Sequence, residues 1–124
     1  KIDLAAAKIG ILGVTFKENC PDIRNSKIFD LIEEFKSWGL RIKIHDPWAD
    51  KDEVKDQHGL DLSSFSSLQD LDAIVVAVGH KQFRSLDGSV LRGTCNIKRP
   101  VLGDLKGIYD RLVMQRLGFT VFRL

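Results

Sequence analysis

Residues 73–79 read Ala-Ile-Val-Val-Ala-Val-Gly and form the clearest predicted strand of the sequence. It is wholly apolar and rich in β-branched residues, which is typical of a strand buried on both faces. A second run of this kind, Lys-Ile-Gly-Ile-Leu-Gly-Val, occupies residues 8–14. Such strands are typical of parallel sheets, whose two faces are covered by helices.

Helical patterns separate the apolar strands. The first predicted helix carries four apolar side chains on one face, at the spacing i, i+3, i+4 and i+7: Ile28, Leu31, Ile32 and Phe35. This face is predicted to lie in the core. Asn25 or Ser26 is predicted to cap the start of the helix, and Gly39 its end.

The remaining elements continue the alternation of strands with helices. Further strands are predicted at residues 40–45, 100–103 and 119–122, and further helices at residues 50–58 and 109–117. Weaker patterns, compatible with helical turns or loops, occupy residues 66–71, 80–86 and 89–94. The alternation predicts an α/β, Rossmann-like domain of three layers with a mostly parallel sheet.

Length, charge and cysteine content narrow the class of protein. The 124 residues suffice for one domain, and a net charge of +2 without a basic stripe argues against nucleic acid. No apolar run approaches the roughly 20 residues that span a membrane. The chain starts without Met, so we expect residues 1–7 to be a linker or the remnant of a cut, and residues 8–124 to be one domain of a longer protein. Cys20 and Cys95 are too few for a disulfide framework and lack metal-ligand spacing, so no metal is expected.

Ligands of an open parallel sheet bind beyond the carboxyl ends of its strands. Here that rule selects the loop after Gly13 and residues 46–48, 80–81 and 104–107. At the first of these, a dinucleotide would require G-x-G-x-x-G, but only Gly10-x-x-Gly13 is present and bulky residues follow. A complete NAD site in this domain is therefore not expected.

The loop after Gly13 carries two cations, Lys17 and Arg24, close to a predicted helix N-terminus. Side-chain charge and helix amides together suit a phosphate. From the residues alone, two solvated surface charges are the favoured interpretation.

Other polar residues at the strand ends have structural explanations. His80 has no identifiable partner in the sequence, so a packed or surface histidine is favoured over a catalytic one, and the same holds for His45. Asp46 stands where dinucleotide folds place a ribose-binding acid, but it comes late and precedes Pro47, which favours turn formation.

A resemblance to a known family sharpens these alternatives. Residues 16–26 read Phe-Lys-Glu-Asn-Cys-Pro-Asp-Ile-Arg-Asn-Ser and directly follow an apolar strand. This motif resembles the signature that opens the C-terminal domain of the UDP-glucose/GDP-mannose dehydrogenase family, and is most similar to its UDP-N-acetylhexosamine branch. Three later segments follow the family's order, namely His-Asp-Pro-Trp-Ala-Asp at residues 45–50, Val-Ala-Val-Gly-His at 76–80 and Gly-Asp-Leu-Lys-Gly at 103–107.

The resemblance implies roles for three residues. Lys17 corresponds to a lysine that contacts the UDP-sugar, and Arg24 to an arginine that reaches the NAD cofactor, held mainly by the N-terminal domain. Lys106 stands where the family often has Asp-Gly-Arg, whose arginine helps to hold the substrate; a lysine keeps the charge but loses the bidentate fork. The family's cysteine nucleophile lies upstream, so neither Cys20 nor Cys95 is expected to be catalytic.

The resemblance also implies a parent enzyme that oxidises the C6 alcohol of a UDP-sugar to a uronic acid for surface polysaccharide synthesis. The parent is expected to be a cytoplasmic homodimer whose N-terminal and central domains complete the site, so the 124 residues alone are expected to be inactive. Two alternatives stay open: a stand-alone nucleotide-binding or regulatory module, and a scaffold domain without catalysis.

Overall fold

A computed structural model of the chain describes residues 7–96 and 98–123. Five parallel strands form one sheet in the order β2-β1-β3-β4-β5. The strands are β1 (Lys8–Leu12), β2 (Arg41–His45), β3 (Ala73–Val76), β4 (Val101–Asp104) and β5 (Thr120–Arg123). The helices are α1 (Ile28–Ser37), α2 (Lys51–His58), α3 (Lys81–Arg84), α4 (Gly88–Arg92) and α5 (Arg111–Arg116). The predicted Rossmann-like fold is confirmed, and every described strand pair is parallel.

The sheet separates two hydrophobic cores because successive side chains of a strand point to opposite faces. Ile9 and Ile11 of β1 belong to the cluster beneath α1 and α2. Ile74 and Val76 of β3 belong to the cluster beneath α3, α4 and α5. This arrangement confirms the three predicted layers, and it explains why the strands read as continuous apolar runs.

Helix α1 confirms its predicted apolar face but not its predicted cap. Its N-cap is Lys27, which makes no side-chain cap hydrogen bond, so the assignment to Asn25 or Ser26 is wrong. Asn25 has a φ of 61° and turns the chain into the helix instead of capping it. Gly39 follows the last turn with a φ of 84°, as predicted for the C-terminal end.

The strands end earlier than the apolar runs suggest. β1 stops at Leu12 and β3 at Val76, so the apolar residues that follow them leave the ladder at its carboxyl edge. Gly13 lies at this edge with a φ of 97°, and a Cβ there would meet the Val78 Cβ at 2.6 Å. Glycine is therefore required both by the backbone and by the close approach of the two loops.

The weaker sequence patterns resolve into short helical elements. Residues 80–86 contain α3, residues 89–94 overlap α4, and Phe65–Ser67 forms one 3-10 turn. Asp110 caps α5 by accepting a hydrogen bond from the Val113 amide.

Most of the predicted linker, residues 1–6, lies outside the described residues. Its last residue, Ala7, is buried, and its carbonyl accepts a hydrogen bond from the Arg41 amide. None of the helices described is both long and apolar enough to cross a membrane.

Candidate functional site

A groove opens at the carboxyl edge of the sheet, where the strand order reverses between β1 and β3. In a doubly wound sheet this is the expected ligand position. Two cavities of about 370 Å³ and about 250 Å³ lie here and share Phe16, Val78 and Lys106 as lining residues. We call the two cavities together the switch-point groove. Its walls come from the loops that follow β1, β3 and β4, together with residues of α1 and α3.

The smaller cavity brings the two predicted substrate-binding residues together. Lys17 comes from the loop after β1 and Lys106 from the loop after β4, and both line this cavity. Arg84 adds a third cation and forms an ion pair with Glu18 at 3.3 Å, also in the lining. Three cations and one carboxylate thus surround the cavity, and their positive balance favours an anionic ligand.

The turn that carries Lys106 is fixed by a buried carboxylate. Asp104 is fully buried at the end of β4 and accepts hydrogen bonds from the amides of Ile108 and Tyr109 at 3.1 and 2.9 Å. Gly107 completes the turn with a φ of 62°. Lys106 therefore projects from a rigid turn although its own side chain is exposed.

The larger cavity has an apolar wall and reaches the start of α1. Its apolar lining residues are Phe16, Ile28, Leu31, Ala77, Val78 and Leu105. Ser26, Lys27 and Ile28 also line it, and Lys27 provides no side-chain cap. At this end of the cavity the dipole of α1 favours negative charge.

Arg24 lies outside the lining of both cavities. Its guanidinium bonds both carboxylate oxygens of Asp22, at 3.0 and 3.1 Å, and its side chain is 79% exposed. Hydrogen bonds from Arg24 lower the pKa of Asp22, and the same pair raises the pKa of Arg24. The predicted contact of Arg24 with NAD stays a prediction.

A buried polar network lies beneath the Lys17 segment. His80 is fully buried, and its Nε2 lies 3.1 Å from Asp46 Oδ2 and 3.2 Å from Thr15 Oγ1. Its Nδ1 accepts a hydrogen bond of 2.9 Å from the Asn19 amide. Of the two predicted alternatives, a packed or a surface histidine, the structure shows the packed one, and the view that His80 lacks partners is wrong. The partners lie 34 to 65 residues away in sequence.

Asp46 forms the turn after β2, as predicted. Its Oδ1 accepts from the amides of Trp48 and Ala49, and its Oδ2 accepts from the amide of Val14 at 2.7 Å. Burial raises the pKa of Asp46, but hydrogen bonds from His80 and from the backbone outweigh it, so the pKa lies below its usual value.

These contacts show that the turn after β1 does not fit a dinucleotide. The Val14 amide, in the turn after β1, already donates to Asp46. Asp46 itself has a fully buried side chain and cannot reach a ribose. This turn therefore offers neither the glycine loop nor the free acid that a dinucleotide site would use.

The remaining side chains that the sequence pointed to, two aromatic residues and two cysteines, lie outside the lining of the switch-point groove. His45 Nδ1 donates to the Ser63 carbonyl at 2.9 Å. The Trp48 indole donates to Gln82 at 2.9 Å and stacks on His80. Cys20 and Cys95 are free thiols, and burial raises the pKa of Cys95, which disfavours a thiolate there.

Sequence reasoning missed the contributions of Arg84, Thr15 and Asn19. The usable signal was position, because Thr15, Asp46 and His80 each follow a different parallel strand. The carboxyl ends of parallel strands meet at one edge, so their polar residues are brought together. Arg84 lies in a helix and gives no such signal.

The fold and the groove define a doubly wound α/β domain with a cationic site at its switch point. The sequence profile of the UDP-glucose/GDP-mannose dehydrogenase family, UDP binding domain, matches residues 10–111. The chain belongs to this family.

Curated relatives support the assignment. The chain is 43% identical over 105 residues to the UDP-N-acetyl-D-glucosamine 6-dehydrogenase of Salmonella typhi, covering 85% of this chain and 24% of that protein. It is 41% identical over 121 residues to Protein CapL of Staphylococcus aureus, covering 94% and 28%. The chain thus spans about a quarter of the length of these relatives.

Solved structures show the same fold at lower identity. The NDP-N-acetyl-D-galactosaminuronic acid dehydrogenase of Methanosarcina mazei superposes with a TM-score of 0.86 at 22% identity, over 97% of this chain and 25% of that one. The UDP-D-ManNAc dehydrogenase of Pyrococcus horikoshii gives a TM-score of 0.75 at 23% identity, over 98% and 26%. These likenesses concern the fold alone.

Proposed function

We propose that this chain binds the UDP part of a nucleotide sugar in the switch-point groove. Its parent is proposed to be an NAD-dependent UDP-N-acetylhexosamine 6-dehydrogenase of surface polysaccharide synthesis, with this chain as the C-terminal domain. One observation carries the proposal: Lys17 and Lys106, from opposite ends of the chain, line one cavity in a member of this family.

The groove offers a nucleoside diphosphate two kinds of surface. The diphosphate lies in the smaller cavity, between the ammonium groups of Lys17 and Lys106. The nucleoside lies against the apolar wall of the larger cavity, beside Phe16. A hydrogen bond from a charged lysine contributes about 1.5–3 kcal/mol, so the two lysines dominate the affinity.

Binding of this remote group serves the reaction by orienting the sugar. Contacts far from the reacting carbon hold it in a productive position and lower the entropic part of the barrier. The C6 oxidation itself, with NAD as hydride acceptor, belongs to the parent. The turn after β1 does not fit NAD, so the cofactor and the nucleophile are assigned to the N-terminal and central parts of the parent.

The parent is further proposed to be a cytoplasmic homodimer in which Arg24 reaches toward the cofactor. The relatives are about four times as long as this chain, which leaves room for those parts. The exposed, local pairing of Arg24 with Asp22 supports this role, because such a pair yields readily to another anion.

A titration of UDP into the ¹⁵N-labelled chain tests the binding proposal. We expect weak, saturable binding, with shifts confined to amides of the switch-point groove. Lys17→Gln and Lys106→Gln should each weaken binding about tenfold or more. The control is Lys43→Gln, an exposed lysine of β2 outside both cavities, which should bind like the wild type. Shifts elsewhere, or equal affinity in all variants, would contradict the proposal.

An activity assay tests the assignment of chemistry to the parent. The 124 residues, with a UDP-N-acetylhexosamine and NAD, should give no NADH above the rate without protein. Appreciable turnover would show that a nucleophile and a cofactor site lie within this chain.

A further inference from the structure

The hydrogen-bond partners of His80 determine where its ring proton lies. The Asn19 backbone amide always carries a proton, so it can only donate, and the Nδ1 that receives it at 2.9 Å must be unprotonated. A neutral ring then carries its proton on Nε2. That proton points at the Asp46 carboxylate, whose Oδ2 lies 3.1 Å away.

Thr15 extends the network to the backbone of Lys17. The Thr15 hydroxyl donates to the Lys17 carbonyl at 2.9 Å, and its oxygen lies 3.2 Å from His80 Nε2. Each proton of the network therefore has a definite acceptor. No buried side-chain nitrogen or oxygen among the described residues lacks a hydrogen-bond partner.

The network fixes an exposed segment from below. Lys17 and Asn19 are exposed, but the Lys17 carbonyl is held by Thr15 and the Asn19 amide by His80, both of which are buried. Asn19 has a φ of 55°, and its side chain accepts a hydrogen bond from the Lys81 amide at 2.8 Å. The backbone is thus held at Lys17 itself and again two residues later, at Asn19.

We propose that His80 is a positioning residue for UDP binding: by accepting the Asn19 amide at Nδ1, it holds the segment that carries Lys17 over the groove. His80 itself, fully buried, contacts no ligand. This inference rests on the proposed function, because the purpose of the segment is to contact UDP. His80 thus positions the segment that carries Lys17 and takes no part in the reaction itself.

Two substitutions separate the two ring nitrogens. In His80→Asn the side-chain oxygen takes the place of Nδ1 and accepts the Asn19 amide, while the bond to Asp46 is lost. In His80→Gln the amide nitrogen takes the place of Nε2 and donates to Asp46, while the Asn19 amide loses its acceptor. Both variants replace the same buried ring with a smaller amide side chain, and urea denaturation of each measures how far each is destabilised.

Hydrogen exchange of the Asn19 amide and UDP titration are then measured on each variant. We expect exchange about tenfold faster in His80→Gln than in the wild type, with UDP affinity reduced by a similar factor. His80→Asn should keep both close to the wild-type values. Equal exchange in the two variants, or unchanged UDP affinity when the amide of Asn19 is released, would overturn the inference.

Two further measurements keep the outcome independent of folding and of the proposed function. In the wild type, the ¹⁵N resonances of His80 should show a proton on Nε2; a proton on Nδ1 would overturn the inference without any variant. If neither the wild type nor Lys17→Gln binds UDP, the proposed function fails, whereas the Asn19 exchange rates report on His80 without any ligand.

Discussion

The two cations of the loop at residues 16–26 are held in contrasting ways. The Lys17 carbonyl accepts a hydrogen bond from the Thr15 hydroxyl, and the Asn19 amide donates one to His80. The second bond links residues 61 positions apart. Arg24 is held by Asp22, two positions away, in an exposed pair. A hydrogen bond to a buried group of another loop fixes the backbone of a segment relative to its own domain, whereas an exposed pair within one loop does not. The structure thus places Lys17 in the lining of this domain's groove, whereas Arg24 is proposed to serve a ligand outside it.

The largest expected effect is on stability, and it comes from replacing Asp46, the buried carboxylate that is bonded to His80. Asp46→Ala leaves the amides of Val14, Trp48 and Ala49 and the ring of His80 without their acceptor. Because buried donors without partners are costly, we expect the free energy of unfolding to fall by about 3 kcal/mol. Urea denaturation followed by circular dichroism measures it.

The matched control is Asp22→Ala, which removes the partly exposed carboxylate that holds Arg24. Its denaturation midpoint should equal that of the wild type, since an exposed ion pair contributes little. A loss of stability as large as that of Asp46→Ala would show that the two halves of the loop are anchored alike.

The same contrast explains what the sequence could predict. The apolar runs at residues 8–14 and 73–79 predicted β1, β3 and the parallel sheet. A strand that is buried on both faces is apolar at consecutive positions, so the sequence alone reveals it. The rule that ligands bind at the carboxyl edge selected the loops that carry Lys17 and Lys106, and the resemblance to the family singled out the two lysines. The structure places both in the lining of one cavity.

Features that depend on distant partners were not predictable. His80 gave no sign of its bonds to Asp46 and Thr15, because hydrogen bonds across 34 and 65 residues leave no local pattern. The cap of α1 was misassigned because Asn25 adopts a left-handed conformation, which its favourable cap chemistry does not reveal.

A second test compares the two cations directly in UDP binding. Lys17→Gln should weaken the affinity of the 124-residue chain for UDP about tenfold, because it removes a charge-assisted contact from the groove. Arg24→Gln should leave the affinity unchanged, because Arg24 lies outside the lining of both cavities. Isothermal titration calorimetry or amide shifts measure both. An equal loss in the two variants would mean that Arg24 turns into the groove.

The smallest expected effect is on the stability of the fold at acidic pH. Asp46 has a folded-state pKa below its ordinary value of about 4, so its ionised form stabilises the fold. This contribution is fully present above about pH 4 and is lost as the pH falls through the lower folded-state pKa. Unfolding free energies between about pH 2 and 6 should therefore decrease toward acid in the wild type, and less steeply in Asp46→Asn. Parallel curves for the two proteins would place the acid sensitivity in other carboxylates. The anchor beneath Lys17 would then contribute no pH dependence, and the contrast with the partly exposed Asp22 would have to rest on the hydrogen bonds of Asp46 alone.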